Sequence, residues 1–526
     1  MKPAALRPEL LLESVATAGV LLPLPLSGAY DYKLPRGVNA TRGLLVSAPL
    51  GPRDVLGVVW GEAEGAVGGN RLREAVPLDG TPSLPQKLCD FVDWVSQYTL
   101  SPAGMILAMV LRSGRAFEPQ AMRTAYVLGS EMPKRMTPAR QRVLDIGRDG
   151  LARSVPGLAE DAGVSTAVVR GMIDASALIA TELPEFPPFP VPDPDYAVPV
   201  LNAEQRAAAD SISEGIAQGR FAASLLDGVT GSGKTETYFE AIAQTLRAGK
   251  QALILLPEIA LTVQFLERFA ERFGCRPAEW HSDLSQKERT RAYRAVMNGE
   301  ARVIVGARSS LFLPFKELGL IIVDEEHEQA YKQEDGAIYH ARDMAVVRAR
   351  SEDCPIVLAS ATPSMESWVN AATGRYAHLR LPRRHGAAVM PQTKLIDLRH
   401  EKSDAGTWLS QPLREALAAT LEAGEQAMLF LNRRGYAPLT LCQSCGHKMT
   451  CRDCSSWLVE HRYRKRLMCH QCGFETHIPP ACPECAAQGS LIACGPGVER
   501  VAEEFVSLFP QARVAIASSD ILHGPK

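Results

Sequence analysis

A surplus of charge of either sign is what this chain lacks. Its 57 lysines and arginines stand against 59 aspartates and glutamates, a formal net charge of -2 with a pI near 6.6. A polyanion therefore meets no global attraction, and any binding of one has to come from local basic patches or shaped sites. A membrane-spanning run is also missing. The apolar stretch 10–26 is interrupted by Glu13 and closed by Pro23 and Pro25, and no small-residue cleavage site stands out. We expect a cytoplasmic protein with no membrane association. At 526 residues the chain exceeds what a single core supports, so three or more domains are expected.

What it has is cysteine in pairs: Cys442/Cys445, Cys451/Cys454, Cys469/Cys472 and Cys482/Cys485. Each pair puts two thiolates on one tight turn, and two pairs complete a tetrahedral shell, so the eight imply two closed structural Zn²⁺ sites with no ligand position left for chemistry. The inner pairs are separated by close to zinc-ribbon spacing, which points to nested rather than sequential pairing. A disulfide framework is the competing reading, disfavoured because nothing marks the chain as secreted. His447, His461, His470 and His477 lie nearby but are not needed. Cys89, Cys275, Cys354 and Cys494 are isolated and read as small buried apolar residues.

Short β-type runs between turn residues over 21–80 suggest a small β-barrel-like domain. Helical spacing follows over 84–111. Within 138–179, a helix, a turn at Gly163 and a second helix capped by Ser165 suggest a helix-turn-helix or winged-helix unit, with little basic charge beyond Arg170. Prolines 184, 187, 188, 190, 192, 194 and 199 mark a stiff linker.

Beyond the linker, the apolar run 222–226 leads into Gly228-Val229-Thr230-Gly231-Ser232-Gly233-Lys234-Thr235 and then a helical pattern, the context a P-loop requires. Its glycines let backbone N–H groups face one phosphate, Lys234 neutralises the β- and γ-oxygens, and Thr235 ligates Mg²⁺. A second apolar run, 318–323, ends in Asp324-Glu325-Glu326-His327, supplying Asp324 to hold Mg²⁺ through water and Glu325 to orient and deprotonate an attacking water. Gln205 precedes the loop at a spacing that suits an adenine-reading glutamine. Ser360-Ala361-Thr362-Pro363 follows a third strand, and loops at 257–262 and 306–310, the latter with Arg308, suit contacts to a nucleic-acid backbone.

The ordered set LLPEIALT (255–262), GARSSLF (306–312), DEEH (324–327), YKQEDG (331–336), SATPS (360–364), FLNRRGY (430–436) and the four cysteine pairs resembles the PriA family of primosomal replication-restart helicases, across essentially the whole chain. The resemblance implies an ATP-dependent superfamily 2 DNA helicase moving 3′ to 5′ that recognises stalled or branched forks and initiates primosome assembly. It implies a multidomain α/β fold: a β-rich DNA 3′-end-binding domain (1–105), a winged-helix-like domain (106–181), the linker (182–200) and RecA-like lobe 1 (201–385). Lobe 2 would begin at 386–440, carry the two-zinc insertion at 441–487 and resume at 488–526. Tyr30, Asp31, Tyr32 and Gly51 match the family's 3′-end capture pocket, with Arg73 as its basic member, and Tyr331 matches an aromatic loop that senses DNA.

Implied cofactors are ATP, Mg²⁺ and two Zn²⁺. Implied partners are forked and single-stranded DNA with a free 3′ end, primosome proteins, single-stranded-DNA-binding protein and replicative helicase loading factors, in a nucleoid-associated setting. Two departures stand out. Val498 replaces a usual threonine in GPGVER (495–500), and the chain ends at Lys526 before the family's GTQ-type and QxxGRAGR-type motifs. Because those arginines stabilise charge on the transferring phosphoryl group, the expectation is ATP binding with feeble or absent hydrolysis. The alternative reading is a non-catalytic scaffold that binds fork DNA and primosome proteins.

Overall fold

Alternating inward and outward side chains build the N-terminal sheet of this computed structural model. It describes residues 16–26, 28–65, 71–118, 122–257, 263–384, 391–397, 407–431, 439–461, 466–469, 471–494 and 498–517. Strands β1 (Thr17–Leu21), β2 (Tyr30–Lys33), β3 (Leu45–Leu50), β4 (Arg53–Glu62) and β5 (Val76–Pro77) pair antiparallel in the order β2-β1-β4-β3-β5. The β3–β4 turn is two residues long, and Gly51 takes a φ of +61° that a side chain would strain. Lys33 bonds Arg73 and Ala75 just before β5, which draws the two sheet edges together as a barrel requires. Tyr32 is buried with Val20, Val46 and Val59, while Tyr30, on the same face at the start of β2, is left 43% exposed.

Helices α1 (Gln86–Thr99) and α2 (Ala103–Val110) follow. The expected boundary at 105/106 therefore falls inside a helix. Leu88, Phe91, Val92, Ile106 and Leu107 join the same buried core as Phe312, Ile321 and Tyr339 of the nucleotide lobe. Next come β6 (Met122–Leu128), α3 (Pro138–Gly147), α4 (Val155–Asp161), α5 (Thr166–Ile173) and β7 (Leu178–Pro184), three helices packed on an antiparallel ribbon with a core of their own. The anticipated helix-turn-helix is α4 and α5, with Gly163 at φ +59° in the turn. Ser165 stands at the α5 N-cap but makes no side-chain cap bond, whereas Ser154 caps α4.

The proline-rich segment is docked rather than free. Asp193 and Ala197 donate backbone bonds to Phe273 and Arg272, Arg291 stacks on Phe189 at 4.2 Å, and Arg247 pairs with Asp195. Proline removes the segment's competing conformations, and these contacts choose the one that remains.

The nucleotide lobe runs α6 (Ala203–Gln218), β8 (Ala222–Gly228), α7 (Lys234–Arg247), β9 (Gln251–Leu255), α8 (Val263–Phe273), β10 (Ala278–Trp280), α9 (Gln286–Asn298), β11 (Val303–Gly306), β12 (Leu318–Asp324), the short pair β13 (Lys332–Gln333) and β14 (Tyr339–His340), α10 (Ala341–Glu352), β15 (Pro355–Ser360), α11 (Met365–Ala372) and β16 (Ala377–Leu381). Seven strands pair parallel in the order β10-β11-β9-β12-β15-β8-β16. Near-continuous apolar strands such as Leu318–Asp324 suit a sheet covered on both faces. All of this lies within one compact unit, Met1–Val389; the second is Met390–Lys526.

In that second unit α12 (Gln411–Glu422) packs with α13 (Val498–Leu508) through Leu417 and Phe505, and Glu504 accepts the Trp408 and Leu409 N–H groups. Between them lie β17 (Leu439–Cys442), β18 (Val459–His461), β19 (Arg466–Met468), β20 (Glu475–His477) and β21 (Leu491–Cys494), in small antiparallel sheets. Among the described residues, no helix is long and apolar enough to cross a membrane.

Candidate nucleotide and metal sites

The P-loop joins β8 to α7, and its glycines are needed for space as well as for conformation. Gly231 and Gly233 take φ +80° and +82°, and a Cβ on Gly233 would lie 2.2 Å from the Gln205 amide nitrogen. No side chain caps the first turn of α7, so its N–H groups and the positive end of the helix face the loop, ready for an anion. Lys234 Nζ donates to the Gly228 carbonyl at 2.8 Å, and Ser232 Oγ is buried with no hydrogen-bond partner among the described residues. A cradle of donors with one orphaned hydroxyl fits a bound phosphate. Gln205 is buried and tied to the loop: its Nε2 donates to Ser232 O at 2.8 Å, and its Oε1 accepts the Asn202 N–H at 2.9 Å in a capping box. The glutamine expected to read adenine thus already braces the phosphate loop.

Asp324 and Glu325 stand at the C-terminal end of β12, with Ser360 at the end of β15 between them and the P-loop strand. Ligands of open α/β sheets bind at this edge. Burial raises the Asp324 carboxyl above its usual range, opposed by hydrogen bonds from the Tyr238 hydroxyl at 2.8 Å and the Glu325 N–H at 3.0 Å. Burial, then the neighbouring Asp324, also raises Glu325. Glu325 holds φ +47°, a strained conformation for a non-glycine residue.

The rest of the acidic motif is wired inward. His327 Nδ1 lies 2.8 Å from Ser360 Oγ. Glu326, wholly buried, accepts the Ser364 N–H at 2.6 Å and the hydroxyls of Ser364 and Ser367, and faces Arg342 at 3.3 Å. Tyr238, Glu326 and Arg342 escaped the sequence reading because no local pattern announces partners 16 to 86 residues away.

The nucleic-acid candidates divide. Tyr331 is only 1% exposed, its hydroxyl bonded to the carbonyls of Leu255 and Asp324, so its ring is packed under the carboxylate strand and offers no face for DNA. Arg308 donates to the carbonyls of Ala330 and Lys332, holding the loop that carries Tyr331. In the N-terminal sheet Tyr30 is 43% exposed, whereas Tyr32 is buried with its hydroxyl on Pro49 O, which removes it as a stacking surface. Asp31 accepts the Glu64 N–H, and Arg73 donates to Gly51 O at 2.6 Å, bringing those two pocket candidates together. Residues 258–262, 432–438 and 495–497, with most of the LLPEIALT and FLNRRGY motifs and half of GPGVER, lie outside the described residues.

The eight cysteines assemble into two groups, Cys442, Cys445, Cys482 and Cys485, and Cys451, Cys454, Cys469 and Cys472, each with all sulfurs within 4.8 Å. This is the nested pairing. Cross-pair sulfur separations of 3.3 to 3.7 Å approach the ~3.8 Å edge of a tetrahedron with Zn–S bonds of about 2.3 Å. Each pair forms the same hairpin. The first cysteine's N–H bonds the carbonyl five residues on, and its carbonyl accepts the N–H four residues on. That fourth residue, Gly446, Ser455, Gly473 or Ala486, is left-handed every time. Asp453 and Glu484 N–H groups reach Cys451 and Cys482 Sγ at 3.4 Å, as donors to a metal-bound thiolate do.

Three family models match: a DEAD/DEAH box helicase at residues 202–370, the 3′DNA-binding domain (3′BD) of PriA at 19–112, and the PriA DNA helicase Cys-rich region (CRR) domain at 451–476. Replication restart protein PriA of Rickettsia felis is 36% identical over 511 residues, spanning 97% of this chain and 68% of that protein. Its counterpart in Bacillus subtilis is 35% identical over 565 residues, spanning 92% and 70%. A structure of RecG bound to a three-way DNA junction is far less similar, with 23% identity, a TM-score of 0.28, and 36% of this chain and 24% of that one covered. A motor lobe of DEAD/DEAH type, a 3′ DNA-binding domain and a paired-cysteine region, all matched in order at this identity, make the chain a member of the PriA family of replication restart proteins, superfamily 2 DNA helicases that bind zinc.

Proposed function

We propose that ATP is bound and hydrolysed along the C-terminal edge of the seven-stranded sheet, and that this drives 3′-to-5′ movement on forked DNA. The observation that carries this reading is the convergence of Lys234 and Thr235 with Asp324 and Glu325 on one edge of one parallel sheet. Lys234 leaves the Gly228 carbonyl for the β- and γ-phosphate oxygens while the loop from Gly228 to Gly233, through Val229 and Thr230, wraps the phosphates. Thr235, and Asp324 through water, would hold Mg²⁺, which would offset charge on the phosphates. Glu325, whose carboxyl burial holds above its usual range, orients a water and takes its proton.

Tyr30, Asp31, Gly51 and Arg73 receive the 3′ end of a strand, with the exposed Tyr30 ring stacking the terminal base. The cysteine-rich region, folded around two Zn²⁺, carries the surface for primosome proteins and helicase loading factors.

The test is ATP turnover by this chain with and without a forked DNA carrying a free 3′ leading end, with Lys234→Ala as the blank. Fork-stimulated turnover that vanishes in the blank supports hydrolysis at this edge, against the feeble turnover expected from the sequence. Tight fork binding with no turnover would overturn the motor reading and leave a fork-binding scaffold.

A further inference from the structure

We infer that Arg384 is a further nucleotide-binding residue, whose guanidinium takes phosphate oxygens of a nucleoside di- or triphosphate on the flank of the P-loop opposite Asp324 and Glu325. The inference rests on the proposed ATP site.

The sheet order sets the two flanks. β8, which feeds the P-loop, lies between β15 and β16, and β12 with its carboxylates lies beyond β15. The chain leaves β16 at Leu381, whose carbonyl accepts the N–H of Val229 in the P-loop at 3.2 Å. Three residues later Arg384 comes alongside the loop: a Cβ on Gly231 would stand 4.0 Å from the Arg384 Cγ. The backbone just before it is held in place, since Arg383 Nε donates to Glu204 at 3.1 Å, one residue from the Gln205 that braces the loop.

Charge then singles out one arginine of three. Arg380 has the Asp227 carboxylate 4.0 Å away, and Arg383 pairs with Glu204. Arg384 has no carboxylate partner among the described residues, and its Nε is buried with no hydrogen-bond acceptor there. An uncompensated cation beside the uncapped N-terminus of α7 is unfavourable, because both ends of that contact are positive. A phosphate chain satisfies both at once, taking the loop N–H groups on one side and the planar guanidinium on the other. Lys234 and Arg384 would then hold it from within the loop and from its flank.

Arg384→Ala in the full chain should weaken binding of a fluorescent ADP analogue about tenfold, the effect of one hydrogen bond to a charged group. Inorganic pyrophosphate, read by its displacement of the same analogue, should weaken by the same factor, because the contact is to phosphate. Both titrations are run in EDTA, which keeps the carboxylate flank and its metal out of the comparison. An unchanged ADP affinity overturns the inference. So does a loss confined to ADP with pyrophosphate binding intact, which would put the guanidinium on the base. Should Arg384→Ala fail to fold, Arg384→Gln retains the stem against Gly231 and carries the same expectation, and an unchanged affinity there is equally fatal. Lys234→Ala run alongside separates the two claims. If it abolishes binding while Arg384→Ala changes nothing, the ATP site stands and only the role of Arg384 falls; if it binds the analogue undiminished, the ATP site itself falls.

Discussion

The nucleotide lobe and the cysteine-rich region solve the same problem, holding a few polar groups within fractions of an ångström, by opposite means. In the lobe, the site residues are appendages of a seven-stranded sheet whose core is complete without them: Leu226, Ile254, Ile322 and Val357 are buried whether or not a nucleotide is present. In the cysteine-rich region the ligands are themselves part of the core. Cys451 and Cys469 sit among Met449, Leu458 and Leu467, beside strands of only three residues. One region has a frame that awaits a ligand, and the other has a frame made by one. Small cores leave too little apolar area to offset chain entropy, so the metal supplies the deficit.

Removing the metal is the largest test of that contrast. Chelation, or Cys451→Ser, should forfeit a large part of a binding energy of about 10 to 16 kcal/mol and unfold the cysteine-rich region, with the thermal transition of the nucleotide lobe unmoved. Limited proteolysis mapped by mass spectrometry would reveal which region opens, and cleavage within the lobe would contradict the comparison.

The lobe has its own weak point. Glu326→Ala strips partners from Arg342, Ser364 and Ser367 at once, and should lower stability in urea by about 3 kcal/mol. A loss well under 1 kcal/mol would mean that water replaces the carboxylate without cost.

Glu325 should show the reverse. Glu325→Asn removes a strained left-handed carboxylate and is expected to raise lobe stability by about 1 kcal/mol while abolishing turnover. Because its folded pKa is raised, the carboxyl's favourable contribution is present in acid and lost as pH rises through that value. The gain from asparagine should therefore be greater near neutral pH than in acid. The opposite trend would refute burial as the cause.

The smallest effect lies in the zinc hairpins. Ser455 and Ala486 occupy the left-handed position that glycine fills in the other two, so Ser455→Gly should slow metal loss to a chelator, by roughly 0.5 kcal/mol of added stability. Faster loss would show that the hydroxyl matters more than the backbone.

What the sequence made legible is what chemistry forces to be contiguous. A phosphate loop needs its glycines, lysine and threonine side by side, and a zinc hairpin needs two cysteines three apart, so both were readable, including the nested pairing. Orientation was less so. Tyr30-Asp31-Tyr32 read as one aromatic pocket, yet Tyr32 lies in the core with Val20, Val46 and Val59 while Tyr30, on the same face at the start of β2, stays exposed. Tyr331 looked like an exposed loop aromatic, but its hydroxyl found two backbone carbonyls far from it in sequence. The proline-rich segment read as a stiff linker, and what the sequence did not announce is that arginines on α8 and α9 fasten it. Partners brought together by tertiary packing leave no trace at fixed spacing.

The core shared by α1 and the nucleotide lobe also bears on how the protein is made. The Lys87 ammonium rests on the Glu352 carbonyl, 265 residues downstream, and Phe91 packs against Phe312 in the same seam. At the ~5 to 20 residues per second of synthesis, the apolar face of α1 leaves the ribosome roughly 13 to 50 seconds before its partners exist. A nascent chain halted in that interval leaves exposed the part of the α1 face that Phe312 and its neighbours later cover.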